Sequence, residues 1–265
     1  MGGGSGDRAG GAARGLVQRA HFAAAALVGV LAFAFLSGAG LLLAAAAGRR
    51  ALRPVVRLWS GLMRAVLGWR VEVDEPERLR REAPFVLVGN HQSILDLVVY
   101  GAFFPERTVT LGKQELSRIP LFGWFYVATG NVLLDRGNPA RAIGSIREAA
   151  ERVRREGLSV LAFPEGHRNG RPELLPFKRG PFTLAIGAGV PVVPVVVEPL
   201  GSLVDVARAR VRPGRVRVRV LPEVETSSLA EADAEADAEA LARRLRGSMQ
   251  EALDELRSSA PARIS

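Results

Sequence analysis

A histidine and an aspartate stand five positions apart in Asn90-His91-Gln92-Ser93-Ile94-Leu95-Asp96, directly after the apolar run Phe85-Val86-Leu87-Val88-Gly89. The chain has only three histidines in 265 residues. An imidazole at a strand end with a carboxylate nearby is equipped for proton transfer, although a histidine in such a place also serves as a capped or core residue. On one straight helix, five steps of about 100° carry a side chain roughly 140° off its starting face. His91 therefore belongs to the turn before a helix. From there it can curl back so that Asp96 accepts the Nδ1 hydrogen and Nε2 stays free. Such a pair is a triad without its nucleophile, a part left to a hydroxyl of the substrate. Backbone amides at the start of the following helix are candidate oxyanion donors.

Seventy-four residues after His91, Glu165 lies in Phe163-Pro164-Glu165-Gly166-His167-Arg168-Asn169-Gly170, at the end of a second apolar run, Leu158–Phe163. Gly166 permits close backbone approach and Arg168 offers a forked donor for phosphate. Glu165 is a candidate to hold a substrate hydroxyl or an arginine. A Pro-Glu-Gly turn after a strand is also a common structural element. Two strand ends carrying such groups meet at one sheet edge, where α/β proteins build their sites.

The elements that must position these residues follow from periodicity. Short β-branched runs at Phe85–Gly89, Thr108–Leu111, Asn131–Leu134, Leu158–Phe163 and Val190–Val197 read as buried strands, and Arg215–Leu221 alternates as a half-solvated one. Ile94–Phe104, Glu115–Ala128 and Asn138–Arg155 have helical spacing, the last ended by Gly157. Ser228 with Glu231 makes a capping box for a final helix lined by Leu241, Leu245, Met249, Leu253 and Leu256. The expected fold over residues 70–265 is α/β, a mixed, mostly parallel sheet flanked by helices.

Upstream, residues 1–20 are rich in Gly and Arg and are expected to form a basic tail without order. From Phe22 to Ala47 there are 26 residues without a charge. About 20 suffice to cross a hydrocarbon core, and a signal peptide's apolar region is shorter, about 7–15 residues. Residues 21–69 are thus expected to anchor the chain to a membrane, spanning it or half-immersed. Within them, Leu52, Val55, Val56, Trp59, Leu62, Met63 and Val66 recur at helical spacing, opposite Arg50, Arg53, Arg57 and Arg64. That pattern suits a helix in the headgroup interface, or one packed on the domain. Arginines after the apolar run favour the cytoplasmic side for the main domain.

Bulk properties narrow the function. The net charge of +9 calls for an anionic partner, but aromatics are only 6% of the chain and no basic stripe interleaves with stacking residues, which excludes a nucleic-acid binder. Without cysteine there is no thiolate nucleophile and no cysteine-based metal site.

Taken together, residues 70–200 resemble the glycerolipid acyltransferases of the 1-acylglycerol-3-phosphate branch. Four blocks carry the resemblance in order: Asn90 to Asp96, with its His, four residues, Asp signature; Gly130-Asn131-Val132-Leu133-Leu134-Asp135-Arg136; Phe163 to Arg168; and Val190-Pro191-Val192-Val193-Pro194-Val195. Lesser matches are Gly112-Lys113-Gln114-Glu115-Leu116 and Phe177-Lys178-Arg179-Gly180. The resemblance implies that His91 deprotonates the sn-2 hydroxyl of lysophosphatidic acid as it attacks the thioester of acyl-CoA or acyl-carrier protein. Asp96 orients the imidazole. It further implies that Arg136 and Arg168, with Lys113 and Lys178, neutralise the acceptor phosphate, that Glu165 and Gly166 shape the substrate site, and that no cofactor or metal is needed. The chain departs from the family where His167 replaces the usual Thr or Ser and Asn169 the frequent Ser, which bears on the acceptor. Other expectations are a different lyso-lipid acceptor, a silent lipid-binding scaffold, or a metal-dependent phosphoester hydrolase using His91, Asp96, Glu165 and His167.

Overall fold

A computed structural model describes residues 5–47, 53–80, 84–105, 107–135, 137–229 and 234–259. Its centre is a sheet in which β2 (Val86–Gly89), β5 (Ser159–Ala162) and β6 (Val192–Val197) are buried on both faces, in keeping with their uncharged, mostly apolar runs; the Ser159 hydroxyl of β5 accepts the Phe85 N–H at 3.2 Å. With β1 (Trp69–Asp74), β3 (Thr108–Lys113), β4 (Val132–Leu134) and β9 (Gly214–Val220), they form seven strands in the order β1-β9-β6-β2-β5-β3-β4. Only the β6–β9 pairing is antiparallel. The expected mixed, mostly parallel sheet is present. Beside it, β7 (Val204–Asp205) and β8 (Arg210–Val211) make a short antiparallel ribbon.

Alternate residues of each central strand feed two cores. Val86, Val88, Val160, Val192 and Val196 face α5 (Pro139–Glu156), α6 (Gly180–Ala188) and α7 (Ala234–Ser258). Leu87, Leu161, Val193, Val195 and Val197 face α1 (Ser5–Ala47), α2 (Arg53–Leu67) and α3 (Asp96–Phe103). Local signals fix the helix ends: the Asn138 side chain accepts from Arg141 N–H at 3.1 Å ahead of α5, and Gly157 closes it at φ 59°. On β9 the valines are buried, while the Arg217 guanidinium meets Glu198 at 2.9 Å and the Leu256 carbonyl at 2.7 Å, so α7 partly covers the charged face. The capping box at Ser228 includes Glu231, which lies outside the described residues.

The N-terminal region differs from its expectation. Residues 5–20, read as a tail, are helical and continuous with the apolar segment, giving α1 43 residues and a length of about 64 Å. One face of α1 is docked on the protein. The Trp59 indole donates to the Gly29 carbonyl at 3.0 Å, His21 Nε2 lies 2.7 Å from the Val66 carbonyl, and Phe33 packs edge-on against Phe125 of α4 (Phe122–Ala128). The opposite face leaves Leu27, Val30, Leu31, Phe35, Leu42 and Leu43 exposed. Only 17% of the apolar stretch is buried, which distinguishes it from the core helix of a soluble domain. α2 packs on the domain through Val55, Ser60, Met63 and Leu67, which are buried, and Arg57 donates to the Phe104 carbonyl at 2.9 Å, while Leu58 and Leu62 stay exposed.

α2 comes close to α3 because Gly101 has no side chain; a Cβ there would lie 2.6 Å from Ser60 Cβ. Gly101→Ala is expected to lower unfolding free energy by about 1–3 kcal/mol through overpacking, seen as a lower urea midpoint for the protein in detergent. An unchanged midpoint would mean that α2 is not held so tightly.

Candidate active site

The parallel register of β2 and β5 pairs Val88 with Ala162, so the chains leave the sheet side by side, with His91 and Glu165 each three residues on. Glu165 is almost wholly buried, and its oxygens are fully engaged. Oε1 accepts the His91 backbone N–H at 3.0 Å; Oε2 accepts the Asn169 side-chain amide and the Leu175 N–H, both at 3.0 Å. Asn169 N–H in turn donates to the His91 carbonyl at 2.7 Å. Glu165 therefore does not reach out to a substrate hydroxyl or an arginine; it fixes the main chain of His91. The buried charge is met by N–H donors rather than by a cation.

Asp96, the first residue of α3, is fully buried. Its Oδ2 accepts from His91 Nδ1 at 2.7 Å and from the backbone N–H groups of Gln92 at 2.6 Å and Ser93 at 3.0 Å. A carboxylate on Nδ1 sets the tautomer, and Nε2 carries no hydrogen bond among the described residues. The amides at the start of α3, expected as oxyanion donors, are engaged locally, Asp96 N–H with the Ser93 carbonyl at 3.2 Å and Val98 N–H with the Leu95 carbonyl at 2.9 Å. Asp96 Oδ1 has no partner within the described protein.

Several positioning residues escaped the sequence reading. The Asn90 side chain donates to the Val197 carbonyl at 3.0 Å and accepts its N–H at 2.8 Å, standing in for a peptide group where β2 leaves β6. The Gln92 amide donates to the carbonyls of Val197 and Glu198 at 3.0 and 3.1 Å. An amide on each side of His91 was the signal. Phe163 stacks on the imidazole, with ring centroids 4.2 Å apart and planes 16° from parallel. Tyr100 meets Phe163 edge-on and donates to the Asn90 carbonyl at 3.2 Å. Burial, then the Asp96 and Glu165 carboxylates, push its phenol well above the ordinary value, so it remains a neutral donor. Gly89 makes room for it: a Cβ there would lie 2.0 Å from the Tyr100 oxygen.

The expected phosphate ligands are less tightly gathered. Lys113 is the last residue of β3, which runs parallel to β5, and Lys178 N–H donates to the Pro164 carbonyl just past the end of β5 at 2.8 Å. Both lysines thus lie on the His91 edge of the sheet. Arg168 and Lys178 are exposed and Lys113 half-buried; among the described residues, none of the three makes an ion pair. Gly166 turns the chain at φ 77°. His167 is exposed, while Asn169, the other departure, is the clamp on Glu165. Arg136 lies outside the described residues. Among those described, no three His, Asp or Glu side chains form a group able to hold a metal ion, so the four ligands of the hydrolase reading do not converge.

A family model described as Acyltransferase matches residues 70–198, which include every element of this edge from β1 to the end of β6. A 1-acyl-sn-glycerol-3-phosphate acyltransferase of Haemophilus influenzae is 38% identical over 154 residues, 58% of this chain and 64% of that protein. The chain thus spans a little under two thirds of that relative. The Escherichia coli protein of the same name is 34% identical over 196 residues, 74% of this chain and 78% of its own length. The crystal structure of the 1-acyl-sn-glycerophosphate (LPA) acyltransferase PlsC from Thermotoga maritima superimposes with a TM-score of 0.72 at 23% identity, covering 94% of this chain and 98% of that one, and so shares the fold. By the matched region and by these relatives, the chain belongs to the acyltransferase family that the 1-acyl-sn-glycerol-3-phosphate acyltransferases represent.

Proposed function

We propose that the chain transfers a fatty acyl group from acyl-CoA or acyl-carrier protein to the sn-2 hydroxyl of 1-acylglycerol-3-phosphate, giving phosphatidic acid for phospholipid synthesis. The observation that carries this reading is the 2.7 Å contact of His91 Nδ1 with buried Asp96, which leaves Nε2 free. Nε2 takes the hydroxyl proton as the oxygen attacks the thioester carbonyl. When the tetrahedral intermediate collapses, the C–S bond breaks and the imidazolium returns the proton to the leaving thiolate. The transient cation forms over the Phe163 ring face, a favourable arrangement. Lys113, Arg136, Arg168 and Lys178 neutralise the acceptor phosphate. No covalent acyl-enzyme, cofactor or metal enters the sequence of steps.

The names of the relatives support the acceptor, and the apolar face of α1 supports delivery of that acceptor from a membrane. Docked along its length, α1 lies along the bilayer rather than across it, with the catalytic domain on one side. The arginine-rich flank at residues 49, 50 and 53 favours an anionic headgroup surface, which fits the cytoplasmic leaflet.

Detergent-solubilised protein should move a radiolabelled acyl group from acyl-CoA to lysophosphatidic acid, with or without excess chelator. His91→Ala should lower kcat by about 10²–10⁴-fold; an active alanine variant removes His91 as the base. Glu165→Gln keeps the side-chain size but turns an N–H donor toward donors already present. Its kcat should drop on the order of 10²-fold, the cost of displacing a catalytic group by about 1 Å, with little change in KM for the acceptor. A raised KM at constant kcat would instead make Glu165 a substrate ligand.

A further inference from the structure

The two layers that cover the sheet differ in what they show to solvent. Among the described residues, α5, α6 and α7 expose a single large hydrophobic side chain, Ile143. The α1–α2–α3 side exposes a long series, and part of it lies away from the N-terminal helices: Trp124 is 65% exposed on α4, with Val127 beside it at 46% and Ile119 just ahead at 46%. An exposed tryptophan of this extent needs an explanation that the proton-transfer site does not provide.

The orientation of α4 supplies one. Its Tyr126 hydroxyl meets Thr110 on β3 at 2.5 Å, which defines the side facing the sheet. Two residues earlier on a helix is about 160° around, so Trp124 faces away from the sheet. Phe122 and Phe125 pack against Phe33, near the middle of the apolar stretch of α1. On α1, Leu31 and Phe35 each lie two residues from Phe33 and face away from α4's contact. α4 is thus clamped at mid-length to the helix whose bare face meets lipid, and its own bare face continues that surface.

We infer that the outer face of α4 is a second point of contact with the phospholipid bilayer, with Trp124 at the level of the headgroups and Val127 and Ile119 in contact with the acyl chains. A tryptophan, with an apolar body and one N–H, suits that boundary. The short turn Gln114–Arg118 separates α4 from Lys113 at the end of β3, so a bilayer touching α4 holds the phosphate-binding edge of the site near the headgroup plane. This inference rests on the membrane part of the proposed function.

The chain has no cysteine, so single cysteines can report position without background. Leu31→Cys on α1, Trp124→Cys and Val127→Cys on α4, and Ile143→Cys on α5 would each carry an environment-sensitive fluorophore on the full chain bound to phosphatidylethanolamine and phosphatidylglycerol vesicles. All four positions are exposed, so the substitutions remove little packing. With nitroxide-bearing lipid in the vesicles, probes at 31, 124 and 127 should lose most of their emission, and the probe at 143 should respond only to aqueous iodide. Quenching by lipid at 31, with 124 and 127 answering to iodide like 143, overturns the α4 contact and leaves the α1 anchor standing. Aqueous behaviour at 31 as well overturns the membrane reading itself.

Discussion

The buried carboxylate of Glu165 is the constraint on which the site depends. It joins the ends of two strands that meet only because the sheet brings β5 alongside β2, and it holds the backbone of His91 rather than its ring. Three N–H donors balance its charge in a place that water does not reach. Two of the donors are main-chain amides, of His91 and Leu175, and the third is the Asn169 side chain; removing any one of them leaves a buried carboxylate short of a partner. The same logic extends to the other side of the loop, where Asn90 and Gln92 tie it to the end of β6. His91 is fixed through its neighbours on three strands, and only its ring is left with a free nitrogen.

Much of this was legible from residue types and periodicity. The runs at 85–89, 158–163 and 190–197 read as buried strands because they carry no charge and, apart from Ser159, no polar side chain, and β9 read as half-solvated because Val alternates with Arg. The five-residue spacing was enough to place His91 off the helix. What stayed hidden has a physical cause in each case. α6 is apolar on all sides and has no amphipathic period to detect. β1 alternates as clearly as β9 does, but its partner lies at the far end of the chain, and pairing between distant segments leaves no local mark. A carboxylate next to Gly166 and Arg168 looks like a ligand in sequence, and only its burial and its three N–H donors reveal it as a tie between strand ends. Residues 5–20 have the composition of a tail, yet they continue a helix that is docked on the protein further along.

The asymmetry of the molecule joins site and surface. Phe163, Tyr100 and Leu95 belong to the core on the α1–α2–α3 side, so the imidazole lies toward the layer with the bare apolar row. The α5–α6–α7 side is closed by a long helix with a solvated outer face. A substrate drawn from a lipid surface and one drawn from water would each meet the layer suited to it, and the fold has that division in its two layers.

The pairing of β1 with β9 has a consequence in time. Trp69 lies opposite Gly214, so the first strand of the sheet waits for the last. At 5–20 residues per second, a ribosome needs roughly 7–30 s to make the intervening chain. Throughout that interval α1 and α2 are complete while the sheet they pack against is not, and α1 carries an apolar face along most of its length. A nascent chain in that state either meets a bilayer or a chaperone, or it aggregates. Where a bilayer comes first, the active site is assembled on a helix already seated at that surface.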